Sequence, residues 1–388
     1  MDFCAIICEF NPFHNGHEYL IAQAKKQTNL PVLCLMSGNF VQRGEPALCD
    51  KYFRAQCAII AGADMVAELP VCFAMSNAET FARGAIKILN ELGCSKLVIG
   101  ASHTNLNNYL DTIKIKQKVL VDAMRNELNK GQNYSKTLID VTISQFPSSR
   151  PIFSDASNIL ALEYIRQIKL QHANIKPVLI KRTDGGYNAN RPTGKYASAS
   201  YIRAQILNKN FDATKSFVPS YAQITNDIVS DKNVINSIAI YNLRKYKAKE
   251  LSHYYDYTEG LPHLIANSAK KAISFDDLVE IATSKRYRKQ RIQKLCYYPS
   301  IELTKKSQQI IIRGRPIIKM LAIKKDKKEF LSQFNKNHQL VLVSHGDYDK
   351  LTRAQTLSSQ IDLKASNLFN VNKKESNSDI TTGTIFCK

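Results

Sequence analysis

Two histidines, His14 and His17, flank Asn15-Gly16 directly after the apolar run Cys4–Cys8 and a turn at Asn11-Pro12. A helical pattern (Tyr19, Leu20, Ala22, Ala24) begins at the same point. Imidazoles and backbone N–H groups at a helix start make an anion site, because the helix dipole adds positive potential there. Gly16 has no Cβ, so a phosphate is expected to reach the backbone above it. Further along, Ser37-Gly38-Asn39 and Gln42-Arg43-Gly44-Glu45-Pro46 form a loop dense in hydrogen-bonding groups. Lys51 and Arg54 then share a face at the start of the next helix, where cations oppose the dipole. A bound phosphate would supply their reason. Gly100 ends a strand pattern, where a Cβ-free position suits a ribose or adenine. Arg182 follows another strand, and Ser198, Ser200 and Arg203 open a helix that suits the far phosphates. Each has a plain alternative: Arg43 in solvent, Gly100 as a turn glycine, the serines as N-caps.

Placing these groups on one rim requires a parallel sheet. Apolar runs at 3–9, 31–36, 64–69, 96–100 and 176–181 read as strands. Helical patterns at 15–27, 50–61, 76–92, 105–128 and 155–169 separate them. Such alternation predicts right-handed βαβ units, with ligands beyond the carboxyl ends of the strands. A Gly-rich loop follows at Asp184-Gly185-Gly186-Tyr187. Residues 220–300 read as mostly helical, and the tail carries a strand-like stretch at 339–344.

The 388 residues exceed what one core usually serves, so two domains are expected, 1–210 and 211–388. No apolar run is long enough to span a membrane, and no signal-peptide layout opens the chain, which points to the cytoplasm. Nine cysteines without a CxxC pair read as reduced, buried thiols rather than a disulfide frame or zinc site. The net charge is +21, unevenly spread. Residues 1–100 carry 8 basic and 9 acidic side chains, whereas 241–330 carry 21 and 9. A near-neutral chemical half and a basic later region suit a polyanionic partner.

The segment Asn11-Pro-Phe-His-Asn-Gly-His17 is similar to the HIGH-type signature of the nucleotidylyltransferase superfamily, and Ser198-Ala-Ser-Tyr-Ile-Arg203 resembles its second signature. More narrowly, Met36–Pro46, Gly62–Pro70, Ser157–Tyr164 and Thr283–Gln293 resemble, in the same order, the bacterial tRNA(Met) cytidine acetate ligases. That resemblance implies an α/β chain: a Rossmann-like parallel-sheet nucleotidylyltransferase domain followed by a mainly α-helical basic domain. It implies a cytoplasmic enzyme that uses ATP and acetate to form acetyl-adenylate, then acetylates N4 of the wobble cytidine of elongator tRNA(Met). The implied ATP site is Ile7, Cys8, Glu9, Phe10, Asn11, Pro12, Phe13, His14, Asn15, Gly16, His17, Glu18, Tyr19 and Leu20, with Gly100, Asn158 and Arg182. Two departures stand out: Ala101-Ser102 where the family usually has Ser-Glu, and Ala161 where it has Gly.

On this reading His14 and His17 stabilise charge growing on the phosphate oxygens. Lys51 is a third catalytic candidate, Ser198 and Arg203 complete the ATP site, and Mg²⁺ accompanies the nucleotide. Lys285, Arg286, Arg288, Lys289 and Arg291 are expected to grip tRNA phosphates. No protein residue is assigned as a metal ligand. Two other readings stay open: adenylylation of a small phosphorylated metabolite, and a non-catalytic RNA-binding protein on a nucleotide-binding fold. The basic region argues against the first, and the intact histidine motif against the second.

Overall fold

The computed structural model describes residues 1–114, 134–182, 192–336, 341–372 and 379–388. The loop at 184–187, the later part of the helix pattern at 105–128 and the start of the strand-like stretch at 339–344 lie outside them.

Five parallel strands form the sheet's heart: β1 (Cys4–Cys8), β2 (Val32–Ser37), β5 (Met65–Leu69), β6 (Lys96–Ala101) and β7 (Lys176–Lys181), in the order β5-β2-β1-β6-β7. A short antiparallel pair, β3 (Phe40–Val41) and β4 (Glu45–Pro46), shapes the loop after β2. All five positions match the apolar runs of the sequence. Their near-continuous hydrophobicity follows from burial on both faces. Alternate residues serve opposite cores: Ala5, Leu33 and Leu35 on one face, Cys4, Ile6, Cys34 and Met36 on the other. Helices Ala78–Glu91 and Ala156–Leu170 cover the first face, and Asn15–Thr28 and Lys51–Ile60 the second. Helix Leu106–Ile113 is the described part of the fourth expected helix. Side-chain caps open two of these helices: Asp50 accepts Tyr52 N–H, and Asn77 accepts Thr80 N–H.

The carboxyl-terminal region does not stay apart from this sheet, so the boundary expected at residue 210 does not bound the sheet. Helices fill 232–313, as the low Gly and Pro content suggested. Then β8 (Ile318–Lys324) pairs antiparallel with β5, and β9 (Val341–Leu342) and β10 (Ile385–Cys387) pair with β8. The missed signal was Ile317-Ile-Lys-Met-Leu-Ala-Ile323, an apolar run inside a strongly basic stretch. No helix among the described residues is long and apolar enough to cross a membrane.

One buried ionic group ties the tail to the first sheet half. Lys51 Nζ lies 2.8 Å from both Glu68 oxygens and 2.6 Å from Asp379 Oδ2. Lys319 Nζ stands 3.3 Å from Asp379 Oδ2, and Ser366 Oγ donates to the same oxygen at 2.9 Å. Burial alone would lower the Lys51 ammonium, but Asp379 and Glu68 hold it charged well above its usual range. Burial would likewise raise Asp379, yet Lys51 and Lys319 keep its carboxyl below the ordinary 3.8. The expected catalytic role of Lys51 is therefore corrected. Its charge is spent on two carboxylates beneath the surface, and it does not line the cleft described below.

Asp379→Ala leaves two buried lysines facing one carboxylate. It is expected to lower stability by about 3 kcal/mol, read as a fall in the urea midpoint. Because the native carboxyl titrates below its unfolded value, its stabilisation is present above about pH 4 and fades on acidification through the folded value. The stability difference between parent and variant should therefore narrow in acid.

Candidate functional site

The turn after β1 is held from three sides. Phe10 adopts a left-handed backbone (φ 50°), with its ring 5.0 Å from Phe13 and 4.9 Å from His17. Asn11 Oδ1 accepts Leu48 N–H at 2.7 Å, and Arg203 Nη1 donates to Asn11 O at 2.5 Å. The Asn11–Pro12 peptide is cis. This braced turn delivers His14 to the N-cap of helix Asn15–Thr28, where its Nδ1 accepts Gly16 N–H at 3.0 Å. An accepting Nδ1 places the ring proton of the neutral imidazole on Nε2. A Cβ at Gly16 would sit 2.9 Å from His14 Cε1, so the glycine makes room for the capping ring.

The His14 and His17 rings stack with centroids 3.7 Å apart. Burial pushes the His17 imidazole well below its ordinary 6.5, and His14 and Arg182 push it further the same way. His17 Nδ1 is buried without a hydrogen-bond partner. A neutral ring in that setting offers a polar contact without the desolvation cost of a charge.

Above these rings a cleft of about 1050 Å³, counting open solvent at its mouth, runs across the carboxyl ends of β1 and β6. This is where the chain order of the strands reverses, the place where open α/β sheets take ligands. Its two walls differ. On the face of helix Asn15–Thr28 stand His14, His17, Leu20, Gly100 and Arg182, with Arg203 and Ser200 from helix Ala199–Leu207. On the opposite face the wall is mainly apolar, made by Ile7, Ile99, Phe81, Leu160 and Tyr164 with Ser157 beside them. Cys8, Glu9, Phe10 and Asn11 run between the two, and Gln42 and Arg43 close one rim. Glu9 Oε1 accepts Gln42 N–H at 2.8 Å. A Cβ on Gly100 would be in ordinary contact with Leu20 and Arg182, so nothing in the protein itself forbids a side chain there.

Several expected ligand residues act one step back from the cleft. Asn158 is fully buried; its Oδ1 accepts Ser102 N–H and His103 N–H, and its Nδ2 donates to Pro151 O. It shapes the turn after β6 instead of lining the cleft. Ser198 caps its helix by accepting Tyr201 N–H. Asn15 donates to Lys195 O and Ser216 O, Glu18 accepts the Tyr221 hydroxyl, and Tyr19 packs edge-on to Tyr196. Pro12 and Phe13 are buried in the turn. In the other direction, Ser157, Leu160, Tyr164 and Phe81 line the cleft without having been singled out for ligand contact, since core residues at helical spacing carry no separate mark.

The basic stretch also divides. Lys285, Arg286 and Arg288 lie in the loop between helices Phe275–Ala282 and Lys289–Tyr297, and Lys289 opens the second. All four are exposed. Arg291 is half-buried and doubly paired with Asp256, at 2.7 and 2.9 Å, so it is less suited to phosphates than its place in the run suggested. Arg286 pairs with Glu259, and its guanidinium lies 5.5 Å from the Tyr287 ring. This helix rests directly on the cleft's rim loop. A Cβ on Gly44 (φ +78°) would meet Lys294 Cγ at 2.6 Å and Lys294 N at 2.8 Å. Lys294 itself donates to Ser76 O, and burial draws its ammonium down to about 8.

With this geometry in view, comparison with known proteins is consistent at every level. The family described as HIGH Nucleotidyl Transferase matches residues 1–382. A protein of Oceanobacillus iheyensis named tRNA(Met) cytidine acetate ligase is 32% identical over 359 residues, covering 89% of each chain. Its namesake in Bacillus subtilis is 31% identical over 96% of this chain and 92% of its own. Among solved structures, apo Thermotoga maritima TmcAL superposes with a TM-score of 0.91 at 23% identity, covering 100% and 99% of the two chains. The same protein bound with alpha-thio ATP gives 0.86 at 24% identity, covering 96% and 94%.

Two outcomes follow from the histidine geometry. Gly16→Ala should displace the His14 ring and weaken nucleotide binding at least tenfold, measured by calorimetry, with little change in overall fold by circular dichroism. Histidine NMR should find His17 still neutral below pH 6.5. Since the unfolded imidazole takes up a proton near 6.5 and the folded one does not, this site makes stability fall as pH drops below that value. His17→Gln should remove that part of the acid sensitivity.

Proposed function

Since the chain belongs to the HIGH nucleotidyl transferase family, and within it to the tRNA(Met) cytidine acetate ligases, ATP-dependent enzymes that modify tRNA, we propose that it activates acetate as acetyl-adenylate and acetylates N4 of the wobble cytidine of elongator tRNA(Met). The observation that carries this reading is the stacked His14–His17 pair at a helix start, inside a switch-point cleft whose rim is clamped by the basic helix Lys289–Tyr297. A nucleotide site and a polyanion surface adjoin through one loop.

In the first step a carboxylate oxygen of acetate attacks the α-phosphorus, and the bond from that phosphorus to the bridging oxygen breaks, releasing pyrophosphate. In the second, cytidine N4 attacks the acetyl carbon, loses a proton, and AMP departs. Neither step needs a protein nucleophile; both need position and charge neutralisation. His14, donating through Nε2, and His17 would contact the α-phosphate end. Arg182 and Arg203 supply positive charge on the same wall. Gly100 leaves the backbone at the end of β6 open to the nucleoside. Mg²⁺ carried on the phosphates needs few protein ligands. Among the described cleft residues Glu9 is the carboxylate that would hold it, and the ion would supply further charge neutralisation. Lys285, Arg288 and Lys289 would hold tRNA phosphates beside the rim, with Arg286 shared between Glu259 and RNA.

The test is incubation of purified protein with ATP, labelled acetate and bulk bacterial tRNA. Label should appear in tRNA as N4-acetylcytidine; adenylyl transfer to a phosphorylated metabolite with no label in tRNA would sink the proposal. His17→Ala should cut acetyl-adenylate formation at least a hundredfold while tRNA affinity stays within about twofold. Replacing Arg286 and Arg288 together by alanine should weaken tRNA binding and flatten its salt slope by about 2, whereas Arg291→Ala should act mainly on stability.

A further inference from the structure

The apolar wall of the cleft is not accounted for by nucleotide or tRNA phosphates. We infer that Phe81, Ile99, Leu160 and Tyr164 form the acyl-selecting floor of the site, taking the methyl group of acetate and excluding longer carboxylic acids. This rests on the reading that acetate is activated here.

The two walls of the cleft differ in chemistry. The cations Arg182 and Arg203 and the neutral imidazole pair face the same half of the cleft as Leu20 and Gly100. Triphosphate and nucleoside belong on that half. For an in-line displacement the acid must approach the α-phosphate opposite the leaving pyrophosphate, and the apolar wall is the lining left to receive its methyl group. That wall carries aromatic and aliphatic carbon from helices Ala78–Glu91 and Ala156–Leu170. Its residues are core residues first: Phe81 is 2% exposed, Ile99 5% and Tyr164 6%. Such slivers of surface suit a methyl group. They offer no open ring face on which a pyrimidine could stack, and an adenine would need far more area. Phe81 and Tyr164 are packed against each other, with centroids 6.4 Å apart, which stiffens the floor against a longer chain. Leu160 is the exception among the four, since it is only half-buried. It is the residue whose size sets the depth.

The experiment uses the full chain with ATP, bulk tRNA and labelled acetate, propionate or butyrate, reading acyl label in tRNA for each acid. Leu160→Ala is expected to raise the propionate-to-acetate ratio of kcat/KM by about tenfold, the discrimination one methylene commonly carries in an apolar pocket. The KM for ATP should stay within twofold. Leu160→Phe, which fills rather than empties the floor, should raise the acetate KM with ATP again unchanged. An unchanged acid ratio in Leu160→Ala, or a raised ATP KM in both variants without altered acid preference, overturns the inference and gives the wall to the adenine. If the unaltered chain transfers no acyl group to tRNA, the functional reading fails instead. Acetate transfer with an acid preference indifferent to Leu160 refutes the floor alone.

Discussion

The guanidinium of Arg54, wholly buried, makes four hydrogen bonds to main-chain carbonyls: Glu9, Ser37, Gly38 and Cys49. Those carbonyls belong to the chain just past β1 and β2 and to the approach to helix Lys51–Ile60. Segments leaving the carboxyl ends of parallel strands have no ladder partners of their own, and their buried carbonyls are costly unless satisfied. One planar, permanently charged fork answers several at once. Glu9 then lies where it can receive Gln42 N–H, and the Phe10–Asn11 turn starts from a fixed point. The cleft inherits its shape from that bracing.

A second constraint works on the same helix from the other direction. Lys51 is occupied by Glu68 at the end of β5 and by Asp379 near the carboxyl terminus, so the tail closes over the sheet edge beside β8. Both cations at this helix start therefore have tertiary partners that offset the unfavourable dipole. The division of labour is physical: Lys51 and Arg54 hold the scaffold, and the charges left facing the cleft come from Arg43, Arg182 and Arg203. The helical region between β7 and β8 is an excursion from the sheet, not an appendage. It returns through Lys294 against Gly44, which places a basic surface at the nucleotide rim.

Much of this was legible in the chain. The five parallel strands announce themselves because burial on both faces demands unbroken apolar runs. His14 and His17 were found at the helix start because spacing along a helix is local. Arg182 and Arg203 were found by their positions after a strand and inside a helix start. The sequence misled where a side chain's partner lies far away in the chain. Lys51 looked like a phosphate ligand, but Asp379 stands 328 positions on. Asn158 accepts from Ser102 and His103, 56 and 55 positions back, whereas the Ser198 cap on Tyr201 is local and was already open to the sequence as an N-cap. Strand β8 was hidden inside a stretch dominated by its charge.

The sequence by itself determined the α/β alternation, the histidine turn at a helix start and the concentration of positive charge after residue 240. Those depend on local periodicity, capping and composition, which neighbours along the chain suffice to decide. Only the tertiary structure decided which cations face the cleft, why Gly16 lacks a side chain, and that the last strands rejoin the first sheet. Burial makes an ionic group choose its partner by distance in space, and that distance is not written in the spacing of residues along the chain.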